Sequence, residues 1–415
     1  MVNGIQSASC GVAGGVRGGA DGFAGLTVDW GLFSVAVDLS SKTQDPDAPY
    51  VLLSARTVQH DPKILLIRPS ALGDVLRSVP LAASLKAVFP GCTLDWVVQT
   101  GFEDAVRAHP AVNEVISFPR RDLSGWWRSP RVAGRAWRFF RGLRRNYDLA
   151  IDAQGLGRSG LMLLASGAGR RIGFSQAREF GWLGANERHQ VGPGANAVDH
   201  MLELLSKAGI PPVPDLQLHV PEDSDLRWRE LRTERGITGS YVALAPTSRW
   251  SSKAWPEERW GPLARHLLDA CDVERVVLLG SPSEHAILER IALAGGDGVE
   301  ILAGAASVGV SMAAVRDARL VVANDSAMLH AAAGFGVALV GLFGPTDPAI
   351  SGPYGRVQDT LRPDSTHTRG VHYRDRGLDD RLLRLISLED VVAAAEQRLH
   401  VQSGPAPAAS GGGMS

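Results

Sequence analysis

The chain has 415 residues, of which 45% are hydrophobic and 21% charged, and its formal net charge is −1. This composition is typical of a soluble globular protein, and the length exceeds one ordinary core, so two domains are expected. A near-neutral chain has no overall attraction for nucleic acid, so any basic surface must be local. The cysteines Cys10, Cys92 and Cys271 form no CxxC pair, which argues against a zinc site and favours a reducing compartment.

The chain ends and the apolar runs show no targeting or membrane signal. Residues 1–62 predict a loosely ordered extension, and residues 403–415 predict a disordered tail. The most apolar run, 335–344, falls short of the roughly 18 to 20 residues that cross a membrane, so it predicts a buried strand. The N-terminus lacks a basic leader followed by a cleavage site, and a cytoplasmic location is expected.

From residue 63 onward strands and helices alternate, which predicts a parallel sheet with crossover helices. A first strand over 63–69 is expected to be buried on both faces. A helix follows from Asp74, with Pro80 near its first turn or at a kink. The other elements expected in this half are strands at 93–99, 112–119, 147–155 and 170–174, and a short helix at 101–110.

A proline-rich hinge over 210–224 interrupts this alternation, which then restarts. Strands are expected at 241–248, 275–281, from 320 and at 338–345, and helices at 256–270, within 320–336 and at 387–400. Ser387 and Asp390 predict a near-capping-box start for the last helix. The predicted domains are two Rossmann-like α/β halves, 63–214 and 225–402, with a linker over 215–224 and a ligand cleft at the strand carboxyl ends.

The segment RPSALGDVLRSVP (68–80) stands where a strand ends and a helix begins, a common place to bind phosphate. It has one glycine, Gly73, followed by Asp74, whose carboxylate would repel a phosphate. Asp74 is therefore either a helix cap, which the helix dipole favours, or a side chain that faces some other group.

The segment 245–260 contains residue types that bind a diphosphate. Thr247 and Ser248 supply hydroxyls at a strand end, and Lys253 supplies an ammonium group in the following loop. A surface lysine in a polar loop is the alternative interpretation.

A second such segment is 323–336, where a helix beginning near Ser326 points its N–H groups at an anion. Asp325 is either a cap or, if a nucleotide sugar binds here, a partner for sugar hydroxyls. His330 lies one turn after Ser326. It is either a hydrogen-bond donor that faces the ligand or a buried, hydrogen-bonded histidine, and its pattern alone favours the second.

The segment 120–145 is rich in arginine, with only Asp122 to offset the charge. Its apolar residues fall on one stripe of a helix, and Arg131, Arg135 and Arg138 lie on the other side. Such a helix predicts contact with anionic head groups or a phosphorylated saccharide, or else a solvated face. No nucleic-acid module accompanies it.

Other patterns indicate no function. GPTDP (344–348) makes a tight turn by composition alone. The histidines and carboxylates of 366–381 lack the spacing of a metal site, so this segment is expected to be an exposed loop. The sequence contains neither a P-loop nor a GxSxG nucleophile elbow.

Four blocks, in order and at the expected spacing, resemble the ADP-heptose:lipopolysaccharide heptosyltransferases, glycosyltransferase family nine. The blocks are ILLIRPSALGDVLRSVP with LDWVV, YDLAIDAQGLGRSG with GRRIGF, PTSRWSSKAWPEERW, and NDSAMLHAAAGFGVALVGLFGPTDP. The resemblance runs from about residue 63 to the final helix. The chain departs from the family's common Asp-Thr-Gly at Ser326 and Ala327, and from its Thr-Thr at Ser248.

The resemblance implies a GT-B fold whose N-terminal domain binds the acceptor and whose C-terminal domain binds the nucleotide sugar. It implies inverting, metal-independent transfer of heptose from ADP-heptose to Kdo or heptose of the lipopolysaccharide inner core on lipid A, without a cofactor. Asp74 is the expected catalytic base. The expected donor-binding residues are Thr247, Ser248, Lys253, Glu284, Asp325, Ser326, Ala327 and His330.

An anionic, lipid-linked acceptor implies peripheral contact with the cytoplasmic face of the inner membrane, and Arg131, Arg135 and Arg138 are the expected contacts. Two alternatives stay open. One is a glycosyltransferase of the same fold that uses another nucleotide sugar for a surface polysaccharide. The other is a catalytically silent nucleotide-sugar binding protein, against which the intact Asp74 and Lys253 argue.

Overall fold

The structure is a computed structural model that describes residues 25–29, 34–38, 61–192, 196–375 and 377–403. The described residues fall into two compact units, one that includes residues 25–29, 34–38 and 122–138, and one that includes the described residues of 61–121 and 139–403. The first unit includes an antiparallel pair of strands, β1 (Gly25–Asp29) and β2 (Ser34–Asp38). Most of the predicted N-terminal extension and the tail after residue 403 lie outside the described residues.

The second unit contains two six-stranded parallel sheets. The first sheet has the order β5-β4-β3-β6-β7-β8, so its first strand along the chain lies at the centre. Its strands are β3 (Lys63–Ile67), β4 (Thr93–Gln99), β5 (Glu114–Phe118), β6 (Leu149–Asp152), β7 (Arg170–Phe174) and β8 (Glu187–His189).

The second sheet repeats this arrangement, in the order β11-β10-β9-β12-β13-β14. Its strands are β9 (Tyr241–Ala245), β10 (Arg275–Leu278), β11 (Val299–Ile301), β12 (Leu320–Asn324), β13 (Ala338–Leu342) and β14 (Thr360–Leu361). Counted within each sheet, both orders are the Rossmann order 3-2-1-4-5-6. The predicted α/β fold with two Rossmann-like sheets is confirmed.

Helices connect the strands and cover the sheets, as parallel pairing requires. The helices are α1 (Leu72–Leu76), α2 (Val79–Val88), α3 (Pro130–Gly142), α4 (Gly157–Ala165), α5 (Ala197–Lys207), α6 (Glu222–Glu234), α7 (Glu257–Ala270), α8 (His285–Gly295), α9 (Val308–Arg316), α10 (Ala327–Gly334), α11 (Pro348–Ser351), α12 (Ser365–Thr368) and α13 (Leu388–Ser403). No helix in the described part of the chain is long and apolar enough to cross a membrane.

The predicted helices near the first sheet are present, with small differences in their bounds and type. The helix expected from Asp74 is two helices, and Pro80 lies in the first turn of α2, where its missing N–H is tolerated. The short helix expected over 101–110 is a 3₁₀ turn, Glu103–Ala105.

The predicted start of the last helix is confirmed by its hydrogen bonds. The Asp390 backbone N–H donates to Ser387 Oγ at 3.0 Å, and Asp390 Oδ2 accepts from the Ser387 backbone N–H at 3.1 Å. The two side chains thus satisfy N–H groups that the helix leaves unpaired.

Candidate active site

The candidate site residues follow the central strands of both sheets. Asp74 follows β3, and Thr247 and Ser248 follow β9. Asp325 follows β12, the neighbour of β9. These positions are the carboxyl ends of strands at which the strand order reverses, where parallel α/β sheets bind their ligands.

Helix α1, which includes Asp74, lies against the N-terminal end of α10. A Cβ atom added to Gly73 would come within 2.9 Å of His330 Cδ2 and 3.4 Å of Ala327 Cα. Glycine therefore permits the close approach of two segments that are far apart in the sequence. The first and fourth blocks of the predicted site meet at this contact.

The Asp74 carboxylate lies between two guanidinium groups. Asp74 Oδ1 accepts a hydrogen bond from Arg77 Nη2 at 2.5 Å and lies 3.4 Å from Arg68 Nη2. Asp74 Oδ2 accepts from the Ala71 backbone N–H at 3.2 Å, which caps α1. The two interpretations of Asp74 are thus compatible, because one oxygen caps the helix while the side chain is still 30% exposed.

The charges around Asp74 decide its ionisation. Burial by itself would raise the pKa of Asp74, but the positive charges of Arg68 and Arg77 and the hydrogen bonds outweigh it and lower the pKa from 3.8 to about 2. Asp74 is therefore ionised at neutral pH. A carboxylate that is stabilised by two arginines is a weak base, and it becomes a stronger base only when one of these ion pairs is weakened.

Lys253 and Asp325 form a well-shielded ion pair beside the second sheet. Lys253 Nζ lies 2.7 Å from Asp325 Oδ2, and their side chains are 15% and 9% exposed. Thr346 Oγ1 donates to the same carboxylate oxygen at 2.8 Å, and the Tyr373 ring centroid lies 4.4 Å from Lys253 Nζ. Asp325 thus pairs with the ammonium group that the sequence predicts for phosphate binding.

The start of α10 presents two buried polar atoms that lack hydrogen-bond partners, Ser326 Oγ and His330 Nδ1. His330 is buried, as the pattern alone predicted, but its Nδ1 is not satisfied. Burial and then the charge of Arg77 lower the pKa of His330 to about 3, so the imidazole is neutral. Unsatisfied buried polar atoms are rare in proteins, and here they lie where a ligand is expected.

The other predicted donor residues have clear places in the fold. Thr247 and Ser248 are half-buried in the loop after β9. Glu284 Oε2 accepts from the Ser281 backbone N–H at 2.6 Å and from Ser281 Oγ at 2.7 Å, so it caps the turn that precedes α8. The expected contact of Glu284 with the donor stays a prediction.

Sequence reasoning missed several residues that complete the site. Arg68 and Arg77 flank Asp74 within the first block, and Arg77, three residues later, was detectable from helical spacing. Thr346 belongs to the GPTDP turn, interpreted as a simple turn. Tyr373 lies in the segment 366–381, which was expected to be an exposed loop, and no sequence pattern points to it.

Basic side chains continue from Asp74 toward the start of α4, and we call Arg68, Arg120 and Arg158 the basic wall. Arg158 Nη2 lies 3.5 Å from Ser70 Oγ, and Gln154 Oε1 accepts from the Ser70 backbone N–H at 3.3 Å. Burial and then the nearby charge of Arg120 lower the pKa of Arg158 below the usual range of arginine. Clustered guanidinium groups of this kind attract an anion.

Arg131, Arg135 and Arg138 are exposed on α3, whose Ala133 and Ala136 are buried. The predicted amphipathic helix is therefore present. These three arginines belong to the first unit, whereas the residues around Asp74 and Lys253 all belong to the second.

Among the described residues, one group has the ligand types and spacing for a metal ion, His266, Cys271 and Glu396. None of the three is a predicted site residue. The absence of a metal from the reaction stays a prediction.

Comparison with known proteins identifies the family. The model of glycosyltransferase family 9 (heptosyltransferase) matches residues 136–377. Lipopolysaccharide heptosyltransferase 1 of Escherichia coli K12 is 31% identical over 305 residues, which cover 72% of this chain and 93% of the relative. The chain belongs to glycosyltransferase family 9. Lipopolysaccharide heptosyltransferase 1 of Pseudomonas aeruginosa is also 31% identical, over 320 residues that cover 73% of this chain and 84% of the relative.

Solved structures agree with this assignment. E. coli heptosyltransferase WaaC with ADP-2-deoxy-2-fluoro heptose superposes with a TM-score of 0.65 at 27% identity, covering 81% of this chain and 99% of that one. E. coli ADP-heptose lps heptosyltransferase II superposes with a TM-score of 0.67 at 22% identity, covering 82% and 100%. This family 9 glycosyltransferase therefore has the predicted GT-B fold.

Proposed function

We propose that this chain transfers heptose from ADP-heptose to the anionic inner core of lipopolysaccharide on lipid A, with inversion and without a metal or cofactor. The names of its relatives support heptose transfer, and one solved relative holds an ADP-heptose analogue. The single observation that carries the proposal is the contact of Gly73 with α10, because it brings Asp74 to the donor block.

The donor diphosphate would bind between the β9 loop and the start of α10. Lys253 offers a positive charge, Thr247 and Ser248 offer hydroxyl donors, and the N-terminal end of α10 offers backbone N–H groups and Ser326 Oγ. These groups would stabilise the charge that develops on the departing ADP. Lys253 then shares its charge between the diphosphate and Asp325.

Asp74 would act as the general base. The acceptor hydroxyl oxygen forms a bond to the anomeric carbon, the bond from that carbon to the ADP oxygen breaks, and the hydroxyl proton passes to Asp74. A base that stands on α1 and a leaving group held at α10 favour attack from the face opposite the departing ADP. General base catalysis of this kind contributes about 10² to 10⁴ in rate.

The acceptor is proposed to be anionic because of the basic wall formed by Arg68, Arg120 and Arg158. A carboxylate of an acidic sugar would bind guanidinium groups of this kind in a bidentate manner. It would also compete with Asp74 for Arg68, which would raise the pKa of Asp74 and make it a better base.

Contact with the anionic face of the inner membrane is proposed for α3. The same segment has two exposed tryptophans, Trp127 at 66% just before the helix and Trp137 at 46% within it. Cationic and aromatic side chains together are typical of surfaces that bind the membrane interface.

The decisive experiment measures the donor and then the transfer. Thermal shifts with ADP, GDP, UDP and CMP should show the largest stabilisation by ADP. Incubation with ADP-heptose and Kdo-lipid A should then yield heptosyl-Kdo-lipid A and ADP, with inverted configuration at the anomeric carbon. A larger shift with another nucleotide would contradict the donor assignment, and ADP binding without transfer to any core acceptor would indicate a silent binding protein.

The membrane proposal has its own test. Replacing Arg131, Arg135 and Arg138 with glutamine should weaken binding to vesicles that contain phosphatidylglycerol while the ADP thermal shift is unchanged. The matched control replaces three exposed arginines of the second unit, Arg229, Arg265 and Arg381. Equal loss of vesicle binding in both triple variants would contradict a specific role for α3.

A further inference from the structure

The turn that contains α11 is held by side chains at the start of α5, the helix that follows the first sheet. Asn196 Nδ2 lies 3.3 Å from the Ala349 carbonyl and 3.5 Å from the Gly352 carbonyl. Tyr354, just after the turn, donates to Asp199 Oδ1 at 2.6 Å. The chain that follows the GPTDP turn in the half of the second sheet is thus anchored to the start of α5. We call residues 348–352 the clasped turn.

Arg77 joins the clasped turn to the proposed base. Its Nη1 donates to the Ser351 carbonyl at 3.2 Å, and its Nη2 donates to Asp74 Oδ1 at 2.5 Å. The side chain is only 11% exposed, and its buried Nε has no hydrogen-bond partner. A buried guanidinium with two fixed contacts holds one orientation.

We propose that Arg77 is a positioning residue for the transfer reaction, which fixes the Asp74 carboxylate and ties its orientation to the clasped turn of the donor half. The base is then correctly placed only when the two halves are in contact. This inference rests on the proposed role of Asp74 as the base.

Arg68 also pairs with Asp74, but it differs from Arg77 in its second contact. Arg68 approaches the same carboxylate oxygen, but its Nη1 donates to the Ala153 carbonyl, just after β6 of its own sheet. Arg68 therefore supplies charge from within the first sheet. Arg77 supplies charge and also a link to the donor half.

Lysine cannot replace both functions of Arg77. The guanidinium group presents separate N–H groups in a rigid fork, so it can bind a carboxylate and a carbonyl at once, whereas an ammonium group is a single point charge on a flexible stem. Arg77→Lys should keep most of the charge beside Asp74 and lose the geometry. Arg77→Met should lose both.

The charge effect and the positioning effect can be measured separately. The charged or titratable groups that face Asp74 are Arg68 and Arg77 from its own half and the neutral His330 from α10. Removal of the Arg77 charge raises the pKa of Asp74, so activity should be lost at a higher pH as the solution is acidified. This loss of activity on acidification is the acid limb of the pH profile. If only the contact between Arg77 and Ser351 is lost, the acid limb should stay at the same pH.

The experiment compares the full-length wild-type enzyme with Arg77→Lys and Arg77→Met in transfer assays across pH. Arg77→Lys should lower kcat about 10- to 100-fold, as expected for a displaced catalytic group, with the acid limb unmoved and KM for ADP-heptose within about twofold. Arg77→Met should lower kcat at least as much and move the acid limb to higher pH.

Asn196→Ser tests the link to the clasped turn by removing the hydrogen bonds of Asn196 Nδ2 to Ala349 and Gly352. Serine retains the cap on the Val198 N–H, which Asn196 Oδ1 now provides at 3.0 Å, but it is too short to hold the turn. This variant should lower kcat in the wild-type background and have little further effect in Arg77→Met, because the link is already broken there.

Two results would overturn the inference, a kcat of Arg77→Lys within about twofold of wild type, and fully multiplicative effects of Asn196→Ser and Arg77→Met on kcat. Thermal melting and the ADP shift identify any variant that merely misfolds, and the milder Arg77→Lys then decides. Asp74→Asn separates the two proposals. If it retains transfer, the base assignment fails; if it is inactive while Arg77 variants are normal, only the inference about Arg77 fails.

Discussion

The two sheets share one topology but hold opposite chemistry at the points where their strand order reverses. After β3, one carboxylate is held by two guanidinium groups, and Asp74 has its pKa lowered to about 2. After β9 and β12, one ammonium group is held by a carboxylate that also accepts a hydrogen bond from a threonine hydroxyl, and α10 begins with unsatisfied polar atoms. The same framework therefore presents a carboxylate on one side, and an ammonium group beside the polar start of α10 on the other.

We propose a common use for the ion pairs of Asp74 and of Lys253. Each side neutralises its reactive charge with an oppositely charged partner, which limits the cost of burying that charge. An anionic acceptor would compete with Asp74 for Arg68, and a diphosphate would share the charge of Lys253 with Asp325. Substrate binding would thus activate both sides.

The largest expected effect comes from Asp74→Asn. The amide keeps the size of the side chain but cannot accept the acceptor proton, so the transfer rate should fall about 10²- to 10⁴-fold. The ADP thermal shift should be close to that of the wild type, because the donor groups lie in the other half. Near-normal turnover would show that the first side does not supply the base.

Lys253→Met tests the second side. Loss of the ammonium group should lower kcat about 10²- to 10³-fold, the usual effect of removing one group that stabilises a developing anion. It should also destabilise the fold by about 3–5 kcal/mol, since Asp325 stays buried without its partner.

The double variant Lys253→Met with Asp325→Asn separates these effects. It should recover much of the thermal stability in a melting experiment but none of the transfer activity. Recovery of activity together with stability would indicate that the pair is structural only.

Gly73→Ala tests the contact that joins the two sides. The added Cβ would meet His330 Cδ2 at 2.9 Å, so α1 and α10 must separate slightly, at a cost of about 1–3 kcal/mol. We expect a lower kcat with little change in ADP binding. Gly142→Ala is the matched control, because nothing lies within 4 Å of its added Cβ, and equal kcat losses in both variants would contradict this role.

The smallest expected effect is on stability in acid. The pKa of Asp74 is depressed from 3.8 to about 2, so its ion pairing stabilises the folded state above the unfolded pKa and is lost as the pH falls through this interval. Acid unfolding of Asp74→Asn should therefore depend less steeply on pH between about 4 and 2. An unchanged slope would show that the ion pairing of Asp74 does not stabilise the fold.

Much of this arrangement could be predicted from local sequence. The strands at 93–99 and 170–174 match their predicted bounds, because buried parallel strands are short apolar runs bounded by turn residues. The start of α13 at Ser387 was predicted because its hydrogen bonds join residues only three positions apart. The edge strands β8, β11 and β14 were missed, since two or three half-exposed residues give no periodic signal.

The sequence alone determined the two α/β halves, the family and the segments that hold Asp74, Lys253 and Asp325, because each depends on a short contiguous pattern. Only the tertiary structure decided which charges face one another. Lys253 pairs with Asp325, Thr346 donates to the same carboxylate, and Arg77 reaches Ser351, because separate chain segments converge at the strand ends. Local patterns do not encode such distances, which arise when parallel strands bring their carboxyl ends to one edge of each sheet.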